Sequence, residues 1–101
     1  MHYVLLYQVV DDFTETRMPF RADHLLHISA ARDRGELIMA GPLTDPVDTA
    51  MLVFQSDTPQ AAEQFAHTDP YVTGGLVKSW QVRKWMTVVG PGSVMPDLPK
   101  Q

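Results

Sequence analysis

The chain has 101 residues, 45% of them hydrophobic and 20% charged, with a formal net charge of −4 and no cysteine. That length makes one domain with a limited buried fraction, so association would help it. The missing cysteine excludes disulfides, zinc–thiolate sites and thiol nucleophiles. An acidic balance without a basic stripe argues against a nucleic-acid partner. Met1-His2-Tyr3-Val4-Leu5-Leu6 carries no basic n-region and reads as a strand. No apolar run approaches the roughly 20 residues that span a membrane. The expectation is a cytoplasmic protein with no membrane partner.

Tyr3 to Val10 is rich in Val, Leu and Tyr and reads as strand one. Asp11 to Met18 reads as a polar loop. Pro19 suits the first turn of a helix, where its missing N–H costs nothing. That helix runs through Phe20, His24, Leu25, Ile28 and Ala31 at spacings of three and four, and Gly35 ends it as a C′ residue. Glu36 to Ala40 is strand two, broken by Gly41-Pro42, and Asp45-Pro46 turns the chain. Thr49 to Gln55 is strand three. The second helix follows Ser56-Asp57-Thr58-Pro59, with Asp57 as N-cap and Gln60 at N3. Asp69-Pro70 interrupts it, and Gly74-Gly75 completes the turn. Val77 to Val89 is strand four. Residues 90–101, with Pro91, Pro96 and Pro99, read as an extended arm or frayed terminus outside the 1–89 domain.

The order β-α-β-β-α-β is the α+β, ferredoxin-like plan: an antiparallel sheet with both helices on one face. The other face of such a sheet is usually polar. Here Val4, Leu6 and Val10 oppose Tyr3, Leu5, Tyr7 and Val9 in strand one. Met51 and Val53 oppose Ala50, Leu52 and Phe54 in strand three. In strand four Trp80, Val82, Met86 and Val88 oppose Val77 and Trp85. With apolar residues on both faces, the expectation is a homodimer that packs sheet against sheet.

Four residues stand out for chemistry. His24 lies in the first turns of helix one and shares a face with Arg21 and Ile28. Histidine titrates near neutrality, so His24 reads either as a general base or acid or as a boundary histidine bonded to a loop carbonyl. Asp69 reads either as a turn residue before proline or as the group that orients His24 or takes a proton itself. Arg21 binds a substrate carboxylate or enolate, or is a solvated helix residue. Tyr71 donates a hydrogen bond or packs as an aromatic. The spacing His24-x-x-His27 with His67-x-Asp69 is one zinc can use, yet four histidines need no metal to explain them, and none is expected. Gly74-Gly75 follows a helix instead of opening one and Gly41-Pro42 lies at a strand end, so there is no phosphate loop and no cofactor is expected. No serine sits in a nucleophile elbow.

The combined pattern resembles the YCII family. The matching residues are Arg21-x-x-His24-Leu25, Gly35-x-Leu37 running into Ala40-Gly41-Pro42-Leu43, Ala61-Ala62-Glu63, Asp69-Pro70-Tyr71 and Val82-x-x-Trp85, across residues 1–89. The resemblance implies a ferredoxin-like dimer with sheets face to face, like the muconolactone isomerase group. It also implies an active site built on a His–Asp pair, which falls on His24 and Asp69. The family includes a dehydrochlorinase of a chlorinated hydroxyhydroquinone, and most members have no assigned reaction. His27 and His67 lie outside the pattern.

The resulting expectation is a cofactor-independent enzyme that moves a proton on a small oxygenated compound, cyclic or aromatic, by isomerisation or HX elimination. His24 and Asp69 are its catalytic pair, and Arg21 and Tyr71 bind substrate. Tyr7, Trp80 and Trp85 are candidate walls of the pocket. The alternative is a non-catalytic small-molecule-binding or accessory dimeric module.

Overall fold

The computed structural model describes residues 1–93. The elements run β1 (His2–Val9), α1 (Phe13–Thr16), α2 (Met18–Asp33), β2 (Leu37–Pro42), β3 (Thr49–Gln55), α3 (Gln60–Thr68), α4 (Pro70–Thr73) and β4 (Val77–Trp85). The strands form one antiparallel sheet in the order β2-β3-β1-β4. This is the ferredoxin-like plan with two extra single-turn helices.

β1 is central, and its period-two alternation decides what each face carries. Tyr3, Leu5, Tyr7 and Val9 point toward the helices and join the core with Leu52, Phe54, Phe65 and Ala62. The register sets Leu5 between Leu52 and Val82, and Tyr7 between Ala50 and Trp80. A residue as small as Ala50 beside Tyr7 leaves room on the helix side of the sheet, and the cavity described below opens there.

α2 begins with proline in its first turn, as expected, and ends at Gly35 with φ +78°. The Glu36 N–H donates to the Ala31 carbonyl (3.1 Å) and the Gly35 N–H to the Arg32 carbonyl (2.9 Å). This paired arrangement satisfies two end carbonyls and needs the left-handed residue glycine supplies.

Several local expectations change. The polar loop of residues 11–18 contains α1, because buried Phe13 anchors it and the Asp12 carbonyl accepts from the Glu15 and Thr16 N–H groups (3.0 and 2.9 Å). β2 is not broken by Gly41-Pro42: both residues pair, with Met51 and Ala50. Proline is tolerated there because β2 is an edge strand and Pro42 is its last residue. Asp57 is not the N-cap of α3; Pro59 holds that position without a side-chain cap, and Thr58 Oγ1 accepts weakly from the Gln60 N–H at 3.3 Å. β4 stops at Trp85 instead of Val89, because its partner β1 starts at His2, opposite Trp85. Val77 packs against the core and not on the outer face, since a bulge at Gln8/Val9 shifts the register there. Of the expected tail, Gly90–Ser93 make a turn closed by the Ser93 N–H on the Gly90 carbonyl (3.1 Å), and the rest of residues 90–101 lies outside the described residues.

The face away from the helices carries Val4, Leu6, Met51 and Val53 from the two central strands, with Met39 and Trp85 at its edges. Ser79, Gln81 and Arg83 give β4 a more polar outer face than β1 or β3. Among the described residues no helix is long and apolar enough to cross a membrane.

Candidate active site

Asp69 is the hinge between α3 and α4. Pro70 forces it out of the helical region, to φ −68° and ψ 124°. In that conformation its carboxylate turns back and accepts from the Tyr71 N–H at 3.0 Å, which caps α4. Asp69 is thus a turn residue, as one of its two expected roles has it.

The same carboxylate takes two more donors. His24 Nδ1 lies 2.7 Å from Oδ1, and the Tyr7 hydroxyl donates to Oδ2 at 2.7 Å. Asp69 has no exposed surface, and His24 is 8% exposed. A buried carboxylate is tolerable only when its oxygens are this well supplied. Burial and the adjacent Asp69 carboxylate raise the Tyr7 phenol well above its ordinary range, so Tyr7 keeps its proton and acts as a donor.

A carboxylate only accepts, so His24 Nδ1 is the protonated nitrogen in the neutral ring. Nε2 then carries the lone pair, and it has no hydrogen-bond partner among the described residues. The ring is also held from its face: Tyr71 stacks on it with centroids 3.6 Å apart and planes 9° from parallel. Phe13 meets the Tyr71 ring edge-on at 5.3 Å. α4 sits this close to α2 because Gly74 has no side chain; a Cβ there would lie 2.7 Å from Phe20 Cε1.

His24 and Tyr71 border a cavity of about 360 Å³ between α2 and the sheet. Tyr7, Arg17 and Arg21 also line it, with apolar walls from Leu25, Ile28 and Leu52 and a rim at Ala40-Gly41-Pro42. Its size and mixed lining are those of a small-molecule site. All four residues singled out in the sequence therefore meet here: His24 and Asp69 bond directly, and Arg21 and Tyr71 face the same space. Of the expected walls Tyr7 is present, but Trp80 packs edge-on to His67 at 5.2 Å and Trp85 lies on the outer sheet face. Tyr7 as a carboxylate partner and Arg17 as a lining cation were not anticipated. A tyrosine on the buried face of a central strand was the available signal for the first, since its hydroxyl needs a partner.

The other histidines are elsewhere. His27 Nε2 is 3.0 Å from the Phe65 carbonyl oxygen and 3.2 Å from Thr68 Oγ1. Among the described residues no three His, Cys, Asp or Glu side chains are placed to hold a metal ion.

Similarity to known proteins agrees with this architecture. Residues 1–86 match the YCII-related domain. Protein YciI of Escherichia coli O6:H1 is 29% identical over 97 residues, spanning 87% of this chain and 99% of that protein. The 5-chloro-2-hydroxyhydroquinone dehydrochlorinase of Burkholderia phenoliruptrix, solved with 2,5-dihydroxybenzoquinone, superposes with a TM-score of 0.69 at 18% identity, over 84% of this chain and 93% of that one. A NIPSNAP family protein of Agrobacterium tumefaciens superposes with a TM-score of 0.52 at 13% identity, over 81% and 87% of the two chains. At such identities the structural likeness is one of fold. The family match over residues 1–86, joined to the likeness to YciI, makes this chain a member of the YCII-related family.

Proposed function

We propose that the protein is an acid–base catalyst acting on a small oxygenated ring compound, by isomerisation or HX elimination. One observation carries the reading: a buried carboxylate holds His24 Nδ1 at 2.7 Å and leaves Nε2 unpartnered beside a cavity of about 360 Å³. Nε2 takes a proton from a substrate carbon. The C–H electron pair becomes a new double bond while X leaves with its own pair, or, in isomerisation, the proton returns at another carbon. Asp69 keeps the ring in the useful tautomer and stabilises the imidazolium formed. Arg21 and Tyr71 bind substrate oxygen and stabilise the charge that develops on it. The YCII relationship supports the His–Asp pair as the site, and the fold shared with a dehydrochlorinase supports the reaction class by analogy.

The working unit in this reading is a homodimer, joined through the outer sheet face with its Val4, Leu6, Met51 and Val53.

The test is carbon-bound hydrogen exchange. The protein is incubated in D2O with monocyclic phenols and hydroxyquinones, including 5-chloro-2-hydroxyhydroquinone, and deuterium uptake and halide release are followed. The wild type should catalyse exchange or elimination, and His24→Ala should lose at least about 10²-fold of that rate while staying folded. Equal rates in the two proteins would remove the proposal. Ligand binding without turnover in either would favour the non-catalytic binding module.

A further inference from the structure

We infer that Arg17 and the Tyr71 hydroxyl form, with Arg21, an oxyanion subsite that makes the cavity selective for small monocyclic carboxylates over their neutral isosteres. This rests on the cavity being the ligand site, as proposed above, and adds the charge of the ligand and the residues that read it.

Among the described residues two arginines line the cavity, and no aspartate or glutamate does. Neither Arg17 nor Arg21 makes an ion pair among the described residues. The nearby carboxylate, Asp69, is taken up by His24, Tyr7 and the Tyr71 N–H. The chain as a whole is acidic, at −4, so two unneutralised guanidinium groups at one apolar cavity run against its overall composition.

Two buried polar atoms of cavity-lining residues lack hydrogen-bond partners among the described residues: Arg17 Nε and the Tyr71 hydroxyl. Tyr71 is 4% exposed. Buried donors are almost always satisfied, and the exceptions call for a reason. Here both belong to residues lining one cavity.

Arg17 is also held in place. It is the junction of α1 and α2: its N–H donates to the Phe13 carbonyl (2.9 Å) and its carbonyl accepts from the Phe20 N–H (2.9 Å). Its guanidinium carbon lies 5.6 Å from the centre of the Phe13 ring, which in turn packs on Tyr71. A guanidinium stacked this way presents its donors without a large loss of side-chain freedom on binding. Leu25, Ile28 and Leu52 give the same cavity an apolar lining. One oxyanion on a flat apolar body suits both kinds of lining.

The test uses benzoate and benzamide, equal in shape and different in charge. Both are titrated into the intact protein and followed by NMR of the His24 and Tyr71 ring signals. Wild type should bind benzoate about tenfold or more tightly than benzamide, the scale of a charge-assisted contact. Arg17→Gln should erase most of that preference and Arg17→Lys should retain part of it, which separates lost charge from lost structure. Tyr71→Phe should weaken benzoate without lowering the melting temperature, because the hydroxyl it removes has no partner among the described residues. His24→Ala should keep the preference, so failure of the catalytic reading leaves this result standing. Equal binding of the two probes by wild type, or no benzoate binding at millimolar concentration, overturns the subsite. An unchanged preference in Arg17→Gln, or unchanged benzoate affinity in Tyr71→Phe, overturns the part assigned to that residue.

Discussion

Asp69 does three jobs with two oxygens: it caps α4, holds His24 and binds the Tyr7 hydroxyl. The first follows from local sequence, since Asp-Pro fixes the backbone. The other two join residues 45 and 62 positions apart across the fold, which no local pattern reveals; the His–Asp pair is what the family resemblance implies. Arg17 was hidden differently, inside a stretch read as loop. Tyr7 also sets a pH dependence whose sign can be worked out. Its phenol is raised in the folded protein, by burial first and by Asp69 next. Below about pH 10 both states hold the proton and stability is flat with respect to this group. Above it the unfolded chain loses the proton while the folded one keeps it, so stability falls by about 1.4 kcal/mol per pH unit. Tyr7→Phe should be less stable at neutral pH by about 1.5–3 kcal/mol, for a lost bond to a charged group. It should also show an alkaline slope shallower by one proton. Urea unfolding of the two proteins from pH 7 to about pH 11 reads both effects.

At the scale of elements, the junction of α2 with α4 brings the site together. Helix one and the stop at Gly35 were legible because periodicity, Pro19 and a C′ glycine agree. The edges of β2 and β4 were not, because strand length is set by the partner: β4 ends where β1 begins, and Pro42 is tolerated only because β2 is an edge. Single-turn helices such as α1 and α4 are too short to show a period, so α1 read as loop and α4 as part of a turn. Gly74 tests the junction. Its φ of −82° suits any residue, so the need for glycine is space alone. Gly74→Ala should cost about 1–3 kcal/mol through overpacking against Phe20. It should also push α4 outward and loosen the Asp69–His24 contact. Thermal unfolding, with the His24 ring signals as a local probe, measures both.

For the whole molecule, alternation in β1 and β3 made the sheet and its covered face legible, and the order of elements gave the topology. The outer face is less uniform than expected, because β4 contributes Ser79, Gln81 and Arg83 there. The apolar part narrows to β1, β3 and the edges at Met39 and Trp85, which are 65% and 47% exposed in the single chain. A dimer through this face should lose Met39 and Trp85 exposure and should separate when a charge is placed at its centre. Light scattering at micromolar concentration should give a dimer for wild type and a monomer for Leu6→Lys. A wild-type monomer would contradict the proposed assembly and leave the helix-side cavity as described.

Proton transfer at this site depends on which nitrogen of His24 carries the proton. Long-range ¹H–¹⁵N NMR of the histidine rings, at a pH where the imidazole is neutral, reads this without knowing the substrate. The wild type should show protonated Nδ1 and bare Nε2, with that preference weakened in Asp69→Asn. A wild-type ring protonated at Nε2 would contradict the proposed proton transfer, because the cavity-facing nitrogen would then have no lone pair with which to take a proton.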